Sequence, residues 1–494
     1  MLIGVTNDRG GGCLRRLNPL FVARRLLILL LAIVALISAC VRLVAQSITP
    51  SPISHEANRV QLSIAMRIIA KSIVIGEPLL MGLKGTDYSR AMEDLDNILQ
   101  TLVKSRDVEV LRDVGILYAY LGVRQRALEC LNEFMRLGSE SGRLTRDELN
   151  LWRKMLSEKT PSIGELKALE RKIEALNLGW FERLAKAWLY ERTFMFVQSE
   201  KMRTDARLSA ARSLLPLLIL LMLLIALFLI GVVLTPILLL SLSKQLRLRR
   251  KDAADANLNL YVLLEAFVVY LFMMEVVTPT ITRSLLPRVR GTHSVETSLI
   301  AAMVISVAIT SLSILWLVLS LRANSVKLSA VGLKGDAIVK DLWHGLLAYV
   351  SMLPWIWLAS AFSMLLSKWL SGVLSEPIHP VAQALMLTSS TALMVTAFII
   401  GTLIAPIVEE LIFRGALYNA LKGRIGLFWG AILSSLLFAL LHPQSIVGAF
   451  PLFVIGVGLS LLYEARRSIV GCVFAHALIN FVSLLALMLF TSVR

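Results

Sequence analysis

Long, nearly continuous apolar runs separated by short basic segments make up most of this 494-residue chain. A run of about eighteen or more such residues is long enough, as a helix, to cross the hydrocarbon of a bilayer. The runs fall at 26–45, 213–243, 257–279, 297–320, 344–366, 382–404, 425–441, 447–464 and 469–491, a working count of eight or nine spans. The fold class expected is therefore all-α, a polytopic bundle of membrane helices.

Between the first two runs the pattern changes. From about residue 46 to 212, apolar positions recur at three- and four-residue spacing with dense charge between them and few Gly or Pro, which predicts an inserted extramembrane helical module. Within it, Val114-Gly115, Tyr118, Gly122, Ala127 and Leu131 fall at the offsets a tetratricopeptide repeat uses for helix–turn–helix packing. Small residues there let two helices approach, and Tyr118 fills the groove. A single copy stands alone at that repeat's period, so generic helical hairpins account for the stretch equally well. Nothing in the module looks catalytic; it reads as a surface for a protein partner.

Charge sets the expected topology. Residues 1–25 form a short basic tail ending in Arg24 and Arg25, and 26–45 reads as a transmembrane anchor. Ile37-Ser38-Ala39-Cys40 also has the small-residue pattern of a lipoprotein cleavage site, which would give the segment a different fate, cleaved or lipidated. The block Lys244, Arg247, Arg249, Arg250 and Lys251 and the basic loops 321–343 and 465–467 belong on the cytoplasmic side by the positive-inside rule. The tail is then cytoplasmic, the 46–212 module extracytoplasmic, and 213–494 a multi-span membrane domain. The loop at 280–296 dissents, since Arg283, Arg288 and Arg290 fall outside.

Composition narrows the class further. The chain is 56% hydrophobic and 17% charged, with a mean hydropathy of +0.72. Its net charge of +17 raises nucleic acid as a partner, but there is no zinc-knuckle spacing and no basic–aromatic stripe. The Lys and Arg residues cluster at the ends of apolar runs instead, where they set topology and attract anionic lipid headgroups. No nucleic acid is expected, and an integral multi-pass protein of a prokaryotic plasma membrane is. Cys13, Cys40, Cys130 and Cys472 show no metal-type spacing and no disulfide framework.

A central Asp, Lys or Arg in a membrane span costs roughly 2.5–3.5 kcal/mol on insertion scales, so ionisable residues there need a reason. They concentrate near residues 380–491: Glu409-Glu410-Leu411-Ile412-Phe413-Arg414, then Phe438-Ala439-Leu440-Leu441-His442, then His476-Ala477-Leu478-Ile479-Asn480. On a helix Glu410 and Arg414 are one turn apart and can pair. Glu409 then projects roughly 100° away and stays free of that pair. His476 and Asn480, also i and i+4, share a face. A free carboxylate, an imidazole and an imidazole–carboxamide pair are a kit for activating water and holding a tetrahedral oxyanion.

These three blocks resemble the motifs of the CAAX prenyl-protease and bacteriocin-processing family (also called the ABI or CPBP family) of intramembrane endopeptidases. That pattern is Glu-Glu-x-x-x-Arg, Phe-x-x-x-His and His-x-x-x-Asn on separate helices, here complete and in order. The context Ala405-Pro406-Ile407-Val408 and Phe413-Arg414-Gly415 agrees. The resemblance covers about residues 380–491 and says nothing about 46–212. It implies Glu409 as general base, His442 orienting or activating water, His476 and Asn480 stabilising the oxyanion, and Glu410, Arg414 and Phe438 in support. It leaves the metal open, since Glu409, His442 and His476 could also ligate Zn²⁺ with water in the fourth position. The implied substrate is a membrane-associated protein cleaved near its C-terminus, with or without a lipid attached there.

One expectation strains the threading. Glu409 falls near the cytoplasmic end of its span and His442 at the far end of the next, so they meet only if the 405–420 segment dips back into the bilayer or the helices tilt strongly; non-helical or re-entrant backbone is expected there. Elsewhere, Glu265 and Glu275 in an apolar run read as interfacial or paired, and His344 and His379 as ordinary residues at span ends. His55-Glu56 begins a zinc-protease motif that Arg59 breaks. Two other functions stay open: a catalytically silent scaffold or immunity-type protein binding partners through the module, and a transporter, which would spread its charges over several spans.

Overall fold

The computed structural model describes residues 19–48, 52–82, 86–249, 260–290, 295–335, 337–370, 380–387, 390–442 and 447–493. Most of the basic tail with Cys13, and Arg250, Lys251 and His379, lie outside the described residues. All regular structure among those described is helical. The chain divides into two compact units, residues 1–54 with 223–485, and 55–222 with 486–494.

The second unit is built from α2 (Pro52–Gly82), α3 (Thr86–Val103), α4 (Val108–Tyr120), α5 (Arg124–Glu140), α6 (Arg146–Leu156), α7 (Ile163–Ala175) and α8 (Phe181–Arg192). Asp107 caps α4, its carboxylate accepting from the amides of Glu109 and Val110. The helix–turn–helix anticipated around Gly115 forms between α4 and α5. A Cβ at Gly115 would lie 2.6 Å from Leu131 Cγ, so only glycine permits the contact. Tyr118, Ala127 and Leu131 are buried in that seam, and Tyr118 Oη donates to Asp96 at 2.6 Å. Further along, α8 returns onto α4, closing a core around Trp152, Tyr118, Phe134 and Phe181. Buried Glu77 accepts from Tyr120 Oη at 2.5 Å and from Arg203 at 2.7 Å, so its charge is compensated where water is excluded.

The first unit contains α1 (Pro19–Ile48) and the later half of α9 (Phe196–Arg249), a continuous 54-residue helix that runs through the composition boundary at 212. It continues with α10 (Leu260–Phe272), a π-helical turn at Met273–Val277, α11 (Thr278–Arg290), α12 (Val295–Ala323), α13 (Ile338–Trp369) and α14 (Pro380–Leu387). Then come α15 (Thr391–Ile399), a π-turn at Ile400–Ile404, α16 (Ala405–Glu410), a π-helical stretch at Leu411–Tyr418, α17 (Asn419–Leu441), α18 (Ala449–Arg466) and α19 (Val470–Ser492).

Among the described residues seven helical stretches are long and apolar enough to cross a membrane: Phe196–Gln245, Leu260–Leu285, Glu296–Ala323, Ile338–Trp369, Thr391–Leu441, Ala449–Arg466 and Val470–Ser492. The fifth covers the two spans expected at 382–404 and 425–441, which meet at a kink. Its backbone stays helical through 405–420, so the non-helical form of the segment anticipated there is absent. The chain turns instead at Gly426, whose φ of 79° and ψ of 171° lie in a region essentially reserved for glycine. Lys422 packs against Gly430 across the turn, and Ser434 Oγ donates to the Phe413 carbonyl. Because Gly426 lies almost midway between residues 409 and 442, the returning arm brings His442 level with Glu409.

Gly426→Ala should therefore destabilise the hairpin by about 1–3 kcal/mol, the cost of holding a Cβ in that backbone region. A lowered thermal midpoint in detergent is the expected result; an unchanged one would mean that the reversal does not depend on this residue's φ.

Candidate active site

Glu409 and Glu410 are adjacent in sequence and sit in different surroundings. The Glu410 side chain is fully buried and that of Glu409 is 18% exposed, the separation the helical period imposes on neighbours. Glu410 Oε1 accepts from Arg414 Nη1 at 2.8 Å and from His476 Nδ1 at 2.8 Å. Arg414, equally buried, also donates from Nη2 to the Gly456 carbonyl at 3.2 Å. Its guanidinium lies 4.6 Å from the centre of the Phe438 ring, a cation–π contact. Glu410 thus does more than neutralise Arg414: it also orients an imidazole on another helix.

Phe438 organises the other side. Its ring packs edge-on against Phe413 at 5.1 Å and lies 4.5 Å from His442 and 5.8 Å from His476, centre to centre. Its carbonyl accepts from His442 Nδ1 at 2.7 Å, one helical turn on. The Phe-x-x-x-His spacing therefore supplies both a wall and a tautomer-setting acceptor. With each Nδ1 donating, to a carbonyl in His442 and a carboxylate in His476, both Nε2 atoms are left to face the site. They approach one atom, Glu409 Oε2, at 3.5 Å from His442 and 3.8 Å from His476. Separations of that size are ones a shared water bridges.

Asn480 lies one turn beyond His476 on α19. Its amide donates to the Gly401 carbonyl at 2.7 Å, within the π-turn at Ile400–Ile404, and no hydrogen bond joins it to Glu409, His442 or His476. Among the described residues no group of three or more His, Cys, Asp or Glu side chains is arranged to hold a metal ion.

The two outlying acids are paired. Arg24 forks onto Glu265, and Arg42 of α1 onto Glu275. His344 is half-buried and its Nδ1 bonds back to the Lys340 carbonyl of its own helix. Arg42 also reaches the Leu441 and His442 carbonyls, a contribution of α1 that the sequence reading missed. An arginine in one apolar run and an unexplained glutamate in another were its only signal.

This unit is a polytopic helical assembly in which carboxylates and imidazoles from separate helices meet inside apolar segments. Residues 391–482 match the family model for Rce1-like proteins, described as type II CAAX prenyl endopeptidase Rce1-like. That match supports the CAAX prenyl-protease and bacteriocin-processing family for this segment, and a CAAX-type intramembrane protease in general. The matched segment holds Glu409, Glu410, Arg414, Phe438, His442, His476 and Asn480. No curated protein and no solved structure matches the chain.

Removing one partner of a buried ion pair leaves the other charge uncompensated, typically at a cost of about 3–5 kcal/mol. Arg414→Ala should accordingly reduce the yield of monodisperse protein on size exclusion in detergent, and Glu410→Gln, which keeps an acceptor for both neighbours, should reduce it less. Equal yields for Arg414→Ala and the parent chain would contradict this account of the pair.

Proposed function

We propose that the chain is an intramembrane endopeptidase that hydrolyses a peptide bond of a membrane-associated protein, with Glu409 as general base. The observation that carries this reading is the convergence of two imidazole Nε2 atoms on the one partly exposed carboxylate, Glu409, beside a second carboxylate locked in an ion pair. A carboxylate held by a guanidinium is a poor base, and the free one is the better candidate.

Charge counting assigns the remaining roles. Glu409, Glu410 and Arg414 together leave the cluster one positive charge short of neutral, and a proton on one imidazole completes it. His476, already donating from Nδ1 to Glu410, is the natural carrier and then presents Nε2–H to the site. His442, donating to the Phe438 carbonyl, keeps a bare Nε2 that accepts from the attacking water and orients it.

In the proposed reaction Glu409 takes a proton from water as the water oxygen bonds to the scissile carbonyl carbon. The carbonyl electron pair moves onto its oxygen, which His476 Nε2–H stabilises. Asn480 has a second amide hydrogen beyond the one engaged by Gly401, and this is the other proposed oxyanion donor. Glu409 then passes its proton to the amide nitrogen, the C–N bond breaks, and the base is restored with one water consumed. A substrate with a C-terminal lipid suits a site set among apolar helices.

Cleavage of a peptide with an attached membrane segment, followed in proteoliposomes, tests this. Glu409→Ala and His442→Ala should each lower kcat by at least about 100-fold, the lower range for loss of a positioned acid or base, while eluting like the parent chain on size exclusion. Wild-type rates in both variants would sink the reading. A parent chain that cleaves no such substrate yet captures a partner through residues 55–222 would favour the silent scaffold. Prolonged chelation should leave the rate unchanged; a loss restored by Zn²⁺ alone would replace this scheme with a metal-assisted one.

A further inference from the structure

We propose that Arg42 is a positioning residue for His442, which makes α1 part of the candidate active site rather than a simple anchor. The proposal rests on the catalytic reading of His442 given above. It starts from one guanidinium. Arg42 Nε donates to Glu275 Oε2 at 3.0 Å, and Nη2 donates to Glu275 Oε1 at 2.7 Å. The same group donates from Nη2 to the Leu441 carbonyl at 3.1 Å and from Nη1 to the His442 carbonyl at 3.3 Å.

Those carbonyls belong to the end of α17, where His442 leaves the helix with extended backbone, φ −72° and ψ 147°. The last carbonyls of a helix have no partner within it, and a cation there also meets the negative end of the helix dipole. At bilayer depth water is a poor substitute, so the guanidinium supplies what the helix end lacks. His442 Nδ1 is tied to the Phe438 carbonyl inside the same final turn, and the position of Nε2 relative to Glu409 follows the geometry of that turn. Fraying it would move the imidazole while leaving the rest of the cluster in place.

The clamp is itself held in place. Glu275 is buried and lies in the π-helical turn at Met273–Val277. Ser38, one turn before Arg42 on α1, donates from Oγ to the Glu275 backbone carbonyl at 2.8 Å. Ala35 is fully buried on the same face of α1. One stripe of α1 (Ala35, Ser38, Arg42) therefore grips both the backbone and the side chain of Glu275 and passes the contact on to the end of α17. The pair between Arg24 and Glu265 has no such link to the site and serves as its control.

The test uses the full chain in proteoliposomes, comparing Arg42→Lys, Arg42→Ala and Arg24→Ala. Cleavage gives kcat and KM, and the ¹⁵N imidazole signal of His442, assigned by its loss in His442→Gln, reports the ring directly. Lysine keeps the charge opposite Glu275 but cannot fork to the carbonyls as well. Arg42→Lys should therefore elute like the parent, keep KM within about twofold and lose about tenfold or more in kcat, as a small misplacement of a reacting group does. Arg42→Ala should lose more and recover in part with added guanidinium ion. Both should shift the His442 signal, and Arg24→Ala should change neither rate nor signal. Parent-like kcat and an unshifted His442 signal in both Arg42 variants would overturn the proposal, as would losses no larger than the loss of folded protein. If the parent itself cleaves nothing, the endopeptidase reading fails on its own, and the imidazole signal still decides whether Arg42 sets the place of His442.

Discussion

The membrane unit depends on one carboxylate oxygen. Glu410 Oε1 accepts from a guanidinium on its own helical segment and from an imidazole on α19, in a place where neither partner meets solvent. In such a setting an unpaired charge is costly and a paired one is held hard, so the contact works as a joint between helices. Through Arg414 it extends to the Gly456 carbonyl of α18 and the Phe438 ring of the returning hairpin arm. Helices from four parts of the chain are thereby referred to a single point.

Around that joint the chemistry divides between neighbours. Glu409 and Glu410 differ by one position, and the helical period alone turns one into a structural group and leaves the other facing two Nε2 atoms. The imidazoles are prepared in different ways, His442 by a carbonyl one turn earlier and His476 by a carboxylate from another helix. Each acceptor fixes which ring nitrogen looks into the site, as second partners of functional histidines commonly do.

Local spacing was the legible part of this arrangement. The Glu410–Arg414 pair and the hairpin around Gly115 and Leu131 follow from offsets of four residues and from a missing Cβ, and both appear where the residues place them. What spacing did not reveal involves backbone that departs from the regular helix or residues far apart in sequence. Asn480 shares a helix with His476, yet a carbonyl in the π-turn at Ile400–Ile404 takes its amide. Hydropathy marks residues around 404–425 as a break between spans because they are more polar, whereas the helix continues and reverses at Gly426. Arg42 and Glu275 are each visible as a charge in an apolar run, but nothing in either run names the other.

The hairpin turning at Gly426 behaves like a folded measuring tape. Adding or removing equal lengths next to the bend would leave the marks for Glu409 and His442 opposite one another. A single residue gained on one arm would instead advance that mark by about 1.5 Å and swing it by roughly 100°. A π-turn is what a helix forms when it absorbs one such extra residue, and one lies between Glu409 and the bend, at Leu411–Tyr418, with none on the arm that leads to His442. The outgoing limb thus carries the means of correcting its own register, and changes in length that this part of the chain tolerates should collect near the bend or at that turn.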